Sequence, residues 1–370
     1  MKTRAAILRG IDKDWEIVEL ELDPPGPGEV LIRYVASGLC HSDDHVRTGD
    51  IPVRFPIVGG HEGAGIIEQT GAWVTGLAPG DHVVCSFLPA CGRCRFCARG
   101  QSNLCDLGAL LTDNCLPDHT FRFHDGSEDV GQMCLVGTFS QYATVSVHSC
   151  IKIDSGVPLQ VAALVGCGVP TGWGTAVNSG GVRAGDTVVV YGIGGVGINA
   201  VQGASFAGAQ HVIAVDPLAN KRAAAQQLGA THTAASAEEA AELILELTRG
   251  VGADHALVTV GVVTEDVITS AFNAVRKHGT VVVTGLAGPD KINIKLPSFF
   301  LTLFEKELKG ALFGGCNPHD EIPRMLDLYQ AGRLKLDELV TTTYSLDEVN
   351  QGYEDLLAGK NIRGVLLHEH

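Results

Sequence analysis

Short apolar runs separated by Gly and Pro fill the first ~160 residues, as in Glu29 to Val35 and Gly80 to Cys85. Runs of this length, bounded by turn residues and without a helical period, predict a mainly β domain. Near Leu164 the texture changes. From Asp186 onward the chain alternates strand and helix. Thr187 to Tyr191 is an apolar strand, followed by a glycine-rich turn and a small-residue helix through about Ala207. A strand from His211 to Val215 and a helix from Lys221 to Leu228 come next. Further strands are expected at His255 to Val260, Thr280 to Thr284 and Leu308 to Phe313, with a helix from Ala237 to Thr248. This alternation predicts an α/β domain with a doubly wound parallel sheet. The last ~55 residues revert to a mixed pattern, with a helix expected from Glu321 to Ala331. The nucleotide-type domain is therefore read as an insertion: residues 1–168 and 313–370 form one domain, 169–312 the other. The polar stretch from Asp106 to Phe139 is expected to be a long surface loop.

Length agrees with two domains, since 370 residues exceed what one core usually serves. The composition, 45% hydrophobic and 19% charged, is that of a globular protein. A formal charge of -15 disfavours a nucleic-acid partner, because no basic excess exists to displace counterions. No apolar run reaches the ~18 residues of a membrane span. Met1 to Ala5 lead straight into strand-like sequence without the apolar stretch of a signal peptide, so a cytoplasmic protein is expected.

The strand ending at Tyr191 runs into Gly192, Ile193, Gly194, Gly195, Val196 and Gly197. In a Rossmann turn the first glycine allows the tight bend, the second lets backbone approach a pyrophosphate, and the third lets helix pack on strand. The anion then rests on the open N–H groups of the helix start. Asp216 follows the next strand, 19 residues past Gly197. A carboxylate there can bind ribose hydroxyls and repel a 2′-phosphate, which favours NAD over NADP; an ordinary helix cap would also place Asp there. Lys221 and Arg222, close by, would soften that preference.

Four of the 11 cysteines fall within fifteen residues: Cys91, Cys94, Cys97 and Cys105, at gaps of two, two and seven. A disulfide framework suits small secreted chains rather than one of this size. Four such thiolates can close a tetrahedral shell on zinc, leaving no water position, which makes a structural site. An iron–sulfur cluster is the rival. The bacterial ferredoxin run ends with a three-residue gap and proline, whereas here the gap is seven and Asp106 follows. A second, dispersed set comprises Cys40, His61 and Cys167. Taken singly, the cysteines can be buried apolar side chains and His61 a turn residue, and spacing alone does not join them.

Gly60, His61 and Glu62, the four-cysteine lobe, Gly166 to Gly168 and the glycine loop stand in the order found in zinc-containing medium-chain alcohol dehydrogenases, which the whole chain resembles. The resemblance implies a mainly-β GroES-like catalytic domain beside the Rossmann domain. It implies two Zn2+ per chain and NAD(H), with Cys40, His61 and Cys167 on the catalytic zinc and a fourth position open to substrate oxygen or water. Glu62 would approach the metal when that position empties. Asp43 would orient His61 through its other ring nitrogen. Ser42 would take the proton of the alcohol and pass it, through the cofactor ribose, to His45 and solvent. His41 stands where a pyrophosphate-binding arginine is common, the lesser alternative being a solvent-facing neighbour of a ligand, and Arg363 resembles a second pyrophosphate-binding arginine. Leu286 would face the nicotinamide. Phe87 and Trp173 would line an apolar pocket, suggesting primary or aromatic alcohols, although both can equally be core aromatics.

Three stretches, Gly315 to His319, Asn350 to Tyr353 and Gly359 to Gly364, resemble the actinobacterial dimethylnitrosoaniline-dependent nicotinoprotein branch, in which NAD(H) stays bound through turnover. Alternatives are a freely exchanging NAD enzyme, a thiol-dependent formaldehyde dehydrogenase, or a non-catalytic nucleotide-binding redox sensor. The resemblance implies a small-molecule alcohol or aldehyde partner and a homodimer or homotetramer, the Leu308 to Phe313 strand being a candidate edge for joining subunits. Cys85, Cys115, Cys134, Cys150 and Cys316 are expected to be reduced thiols.

Overall fold

Strand pairing divides the chain, seen in a computed structural model that describes residues 1–291 and 294–370, into two units. Met1–Cys167 with Asn317–His370 forms one, and Gly168–Cys316 the other. The return to the first unit therefore lies four residues beyond the position expected from the pattern.

The first unit holds β1 (Lys2–Leu8), β2 (Glu16–Leu22), β3 (Glu29–Gly38), β4 (Ile57–Val58), β5 (Glu62–Thr70), β6 (His82–Cys85), β7 (Phe123–Asp125), β8 (Glu128–Gln132), β9 (Tyr142–Ser146) and β10 (Cys150–Lys152). The second holds β11 (Thr187–Tyr191), β12 (His211–Val215), β13 (His232–Ala234), β14 (Ala253–Val258), β15 (Val275–Val283) and β16 (Glu307–Gly310). The chain then returns to the first unit with β17 (Val340–Ser345) and β18 (Arg363–Leu367).

In the first unit a closed barrel runs β1-β2-β7-β8-β4, beside a sheet ordered β10-β6-β5-β3-β18-β17, with β9 also on β3. Ile7, Leu20, Ile32, Tyr34, Val83, Phe123 and Val145 share its core. Closure of the barrel leaves it no edge to aggregate. The registers matter most at one point. Gly38 ends β3 opposite Glu62 of β5 on one side and Val365 of β18 on the other. Residues from three distant segments thereby meet at the end of β3.

In the second unit six parallel strands run β13-β12-β11-β14-β15-β16. All five residues of β11 are buried, as a strand covered by helices on both faces requires. The strand order reverses at β11, between β12 and β14, and ligands of such sheets bind beyond the strand ends at that reversal.

Several expectations need correction. The 106–139 stretch is not a loop: it supplies β7 and β8 and buries Cys115, Leu116 and Leu135 in a small core. Its polar look reflects Arg122, which is buried but paired through two nitrogens with Glu29 at 2.9 and 2.7 Å. The strand expected at Leu308 to Phe313 ends at Gly310, and Phe313–Gly315 is a tight turn with Phe313 at φ +55°. β15 begins at Val275, earlier than expected, and the helix expected from Glu321 begins at Pro318, where proline suits a first turn. A helix from His41 to Thr48 lies inside the domain expected to be β. Among the described residues no helix is long and apolar enough to cross a membrane.

Candidate active site

The helix His41–Thr48 places three of the expected groups. It starts at Cys40, whose backbone is still extended, at φ −131° and ψ 151°. Asp43 reaches back to accept a hydrogen bond from the Cys40 N–H at 3.3 Å, as the third residue of a capping box does. Asp43 and Asp44 in the first turn also suit the positive end of the helix dipole. Gly49, at φ +81°, ends the helix with its N–H on the Val46 carbonyl.

Cys40 after β3, His61 before β5, Glu62 and Cys167 converge, with one potential ligand atom of each within 4.8 Å of the others. Asp43 is wholly buried, and its Oδ1 accepts from the Gly60 N–H at 3.1 Å and lies 3.1 Å from His61 Nδ1. That contact fixes the tautomer and turns Nε2 inward. His61 Nε2 is shut off from solvent and has no protein partner, which a nitrogen lone pair tolerates only when something else meets it. Two thiols, an inward imidazole and no disulfide form the donor set of a catalytic zinc site. Cys40 is held well below the usual thiol range by a hydrogen bond from Cys167, which is itself held well above it. Burial pushes the Glu62 carboxyl up to about 7 against the pull of Arg363.

Around this set, Ser42 Oγ lies 3.7 Å from Cys40 Sγ. His45 is buried with Nδ1 on Asp50 Oδ2 at 3.1 Å, a partner that the sequence reading did not single out. Phe87 presents an edge contact to His61 at 5.8 Å between centroids. Trp173 packs on Phe206 at 4.9 Å within the second unit. His41 is half-buried at the helix start. Arg363, expected at a pyrophosphate, is buried with its guanidinium on Glu62 and, at 3.2 Å, on the Leu39 carbonyl. Gly38, also not singled out, makes room for this pair: a Cβ there would lie 2.2 Å from Glu62 Oε2 and 3.0 Å from Arg363 Nη2.

The lobe cysteines Cys91, Cys94, Cys97 and Cys105 likewise converge within 4.8 Å. The Cys91–Cys97 and Cys94–Cys105 sulfurs are 4.0 Å apart. Thiolates about 2.3 Å from one zinc ion would stand about 3.8 Å apart, so the lobe fits a closed tetrahedral shell. Backbone N–H groups of Cys97 and Asp106 bring the Cys94 thiol down to about 6, ready to ionise, while burial lifts Cys105 to about 12.

In the second unit the glycine loop has the geometry that a pyrophosphate requires. Gly192 turns at φ +89°, and a Cβ on Gly197 would lie 1.8 Å from the Gly192 carbonyl oxygen. A Cβ on Gly194 would meet nothing within 4 Å, so its backbone faces open space ahead of the helix Gly197–Phe206, capped by Val196. The Gly195 carbonyl accepts from Asn199 Nδ2 at 2.8 Å, holding the loop to the helix. Asp216 accepts from the Ile193 and Leu218 N–H groups, both at 2.9 Å, and so joins the loop to the turn after β12. Arg222 is committed to the carbonyls of Asp216 and Pro217, at 2.7 and 2.9 Å, and Lys221 is buried. Leu286 is exposed and its carbonyl accepts from the Val263 N–H at 2.9 Å.

Fold and site together define a zinc-binding dehydrogenase. Residues 26–155 match the alcohol dehydrogenase GroES-like domain and residues 195–331 the zinc-binding dehydrogenase domain. The chain belongs to the zinc-containing medium-chain alcohol dehydrogenase family. It is 62% identical to the NDMA-dependent alcohol dehydrogenase of Amycolatopsis methanolica, over 100% of this chain and 99% of that one. Alcohol dehydrogenase B of Mycobacterium tuberculosis is 46% identical over 99% of this chain and 98% of its own. Among solved structures, benzyl alcohol dehydrogenase from Acinetobacter calcoaceticus superposes with a TM-score of 0.93 at 30% identity, and an alcohol dehydrogenase zinc-binding domain protein from Burkholderia ambifaria with 0.94 at 34%, each over 100% of both chains.

Proposed function

We propose that the protein oxidises primary or aromatic alcohols to aldehydes, or runs the reverse, by hydride transfer with NAD that stays bound and is re-oxidised in place. The observation that carries this reading is the convergence of half-buried Cys40 with buried His61 and Cys167, and the unpartnered His61 Nε2 among them. Retention of the nucleotide rests on similarity to the NDMA-dependent relative. The benzyl alcohol dehydrogenase neighbour supports an aromatic substrate.

Cys40, His61 and Cys167 would hold a zinc ion whose Lewis acidity would ease loss of the alcohol proton, and bound NAD would supply the hydride acceptor. Ser42, beside Cys40, receives that proton on Oγ. His45, its Nδ1 held on Asp50 Oδ2, serves as the outlet for that proton. Asp43 keeps the His61 ring from turning. Asp216, tied to the Ile193 N–H beside the glycine loop, supplies the carboxylate that binds ribose hydroxyls and repels a 2′-phosphate, so NAD is preferred over NADP. The lobe carries the second, structural zinc.

The reading extends to a cytoplasmic homodimer or homotetramer. Among the described residues the 11 cysteines are reduced thiols, as a reducing compartment permits. β16 is an edge strand, and nearby Phe299 and Leu303 are 63% and 61% exposed, an apolar surface suited to a second copy. A strictly monomeric sedimentation profile would contradict this assembly.

The test is the absorption spectrum and released nucleotide of the purified protein before any cofactor is added. About one NAD(H) per chain surviving gel filtration is expected. Nucleotide-free protein that turns over added NAD with benzyl alcohol would make the cofactor freely exchanging instead.

A further inference from the structure

The stretch Asn350 to Tyr353 lies in the helix Val349–Leu357, far in sequence from Cys40, yet Val349 and Tyr353 share a core with Leu39, the residue before Cys40, and with Val46 of the helix that follows it. Asn350 clamps the backbone of Trp15, accepting from its N–H at 3.0 Å and donating to its carbonyl at 2.9 Å. The Trp15 ring stacks on Tyr353 with centroids 6.0 Å apart at 26°, and Phe139 closes the other side at 6.3 Å. Tyr353 is thereby held in one orientation, 4% exposed, among Leu39, Val46 and Phe139.

Its hydroxyl is the anomaly. The oxygen is sealed from solvent and forms no hydrogen bond. Leaving a buried hydroxyl unpaired costs about 1–3 kcal/mol, and phenylalanine would fill the same space without that penalty. Burial holds the phenol's pKa well above the usual tyrosine value, and the Asp43 carboxylate, near enough to act both as a charge and as an acceptor, adds to that rise. Asp43 in turn has three partners, the Cys40 and Gly60 N–H groups and His61 Nδ1. A carboxylate offers about four lone-pair sites, so one remains.

We propose that Tyr353 is a positioning residue for the catalytic metal site, its hydroxyl closing on the remaining lone pair of Asp43 in the working enzyme to form a Tyr353–Asp43–His61 chain. Through Asp43 it acts on two ligand-bearing residues at once, the Cys40 backbone and the His61 ring. The inference rests on the zinc reading given above.

The test compares wild-type and Tyr353→Phe holoenzyme. Removal of an outer hydrogen-bond partner typically weakens metal retention 10–100-fold. Tyr353→Phe is expected to lose one zinc per chain to a chelator at least about tenfold faster, to keep its lobe zinc, and to melt no lower than wild type. Its cobalt-substituted form should show altered visible bands. Equal zinc loss and identical cobalt spectra in the two proteins would overturn the proposal. Wild type binding a single zinc would instead defeat the zinc reading itself. Should the variant fail to fold, a structure of zinc-loaded wild type decides: Tyr353 Oη within hydrogen-bond distance of Asp43 supports the chain, and a wider gap refutes it.

Discussion

Arg363 and Glu62 form a buried ion pair laid across Gly38, joining the start of β18 to the start of β5 over the end of β3. Glu62 stands in the candidate metal set with Cys40, His61 and Cys167, so its pairing fixes where the carboxylate rests. Replacing Arg363 with Met would strand a buried carboxylate beside two thiols. Removing one partner of a buried pair costs about 3–5 kcal/mol. Denaturant melts of nucleotide-free Arg363→Met should fall by that amount, with part of it restored in Arg363→Met/Glu62→Gln. If Arg363 acts on a pyrophosphate alone, the nucleotide-free melt would not move.

Gly38→Ala tests the same relationship from beneath. Its Cβ would lie 2.2 Å from Glu62 Oε2, so the pair must shift. Overpacking of this kind costs about 1–3 kcal/mol. The expected result is a lower melting temperature together with kcat/KM for benzyl alcohol down about tenfold, in the range seen when a metal's outer partners are disturbed. Unchanged kinetics would show that Glu62 need not sit where the structure places it.

Gly197→Ala should disable the nucleotide site while sparing both metal sites. The added Cβ would lie 1.8 Å from the Gly192 carbonyl, forcing loop and helix apart. The purified variant should carry zinc at the wild-type level and no nucleotide. Retained nucleotide would mean that the loop tolerates opening and that the pyrophosphate is gripped elsewhere.

The second unit was the more legible in sequence. Its apolar strands are long enough to stand out, and the loop from Gly192 to Gly197 carries its geometry in its glycines. The helix His41–Thr48 has no apolar stripe to mark it, because three of its four buried residues, Asp43, Asp44 and His45, are polar and only Val46 is not. The 106–139 stretch misled for a related reason, since Arg122 and Glu29 neutralise each other across 93 residues. The lobe cysteines were readable from local spacing. Cys40, His61 and Cys167 were not, because only strand register brings them together. The Arg363–Glu62 pair has no sequence signal because the two residues lie on separate strands, and Gly38 matters only through that pair.

His368 gives a pH prediction. It is buried, with Nε2 on the Thr138 carbonyl at 3.0 Å, and burial lowers its pKa from 6.5 to about 4. The unfolded chain takes up this proton near pH 6.5, the folded chain only near 4. Stability is therefore whole above about 6.5 and is lost as pH falls toward 4, by about 3 kcal/mol at most. Carboxylates titrate in the same window, so the measurement is the difference between wild type and His368→Gln. The variant should lose less stability from pH 6.5 to 4; parallel curves would remove His368 from the account.

Zinc content decides the central claim, that Cys40, His61 and Cys167 hold a catalytic metal apart from the one in the cysteine lobe. Native mass spectrometry of the intact protein counts it directly. Two zinc ions per chain in wild type, and one in a folded, inactive His61→Ala, is the predicted result. One zinc in wild type, with alcohol oxidation intact, would contradict it.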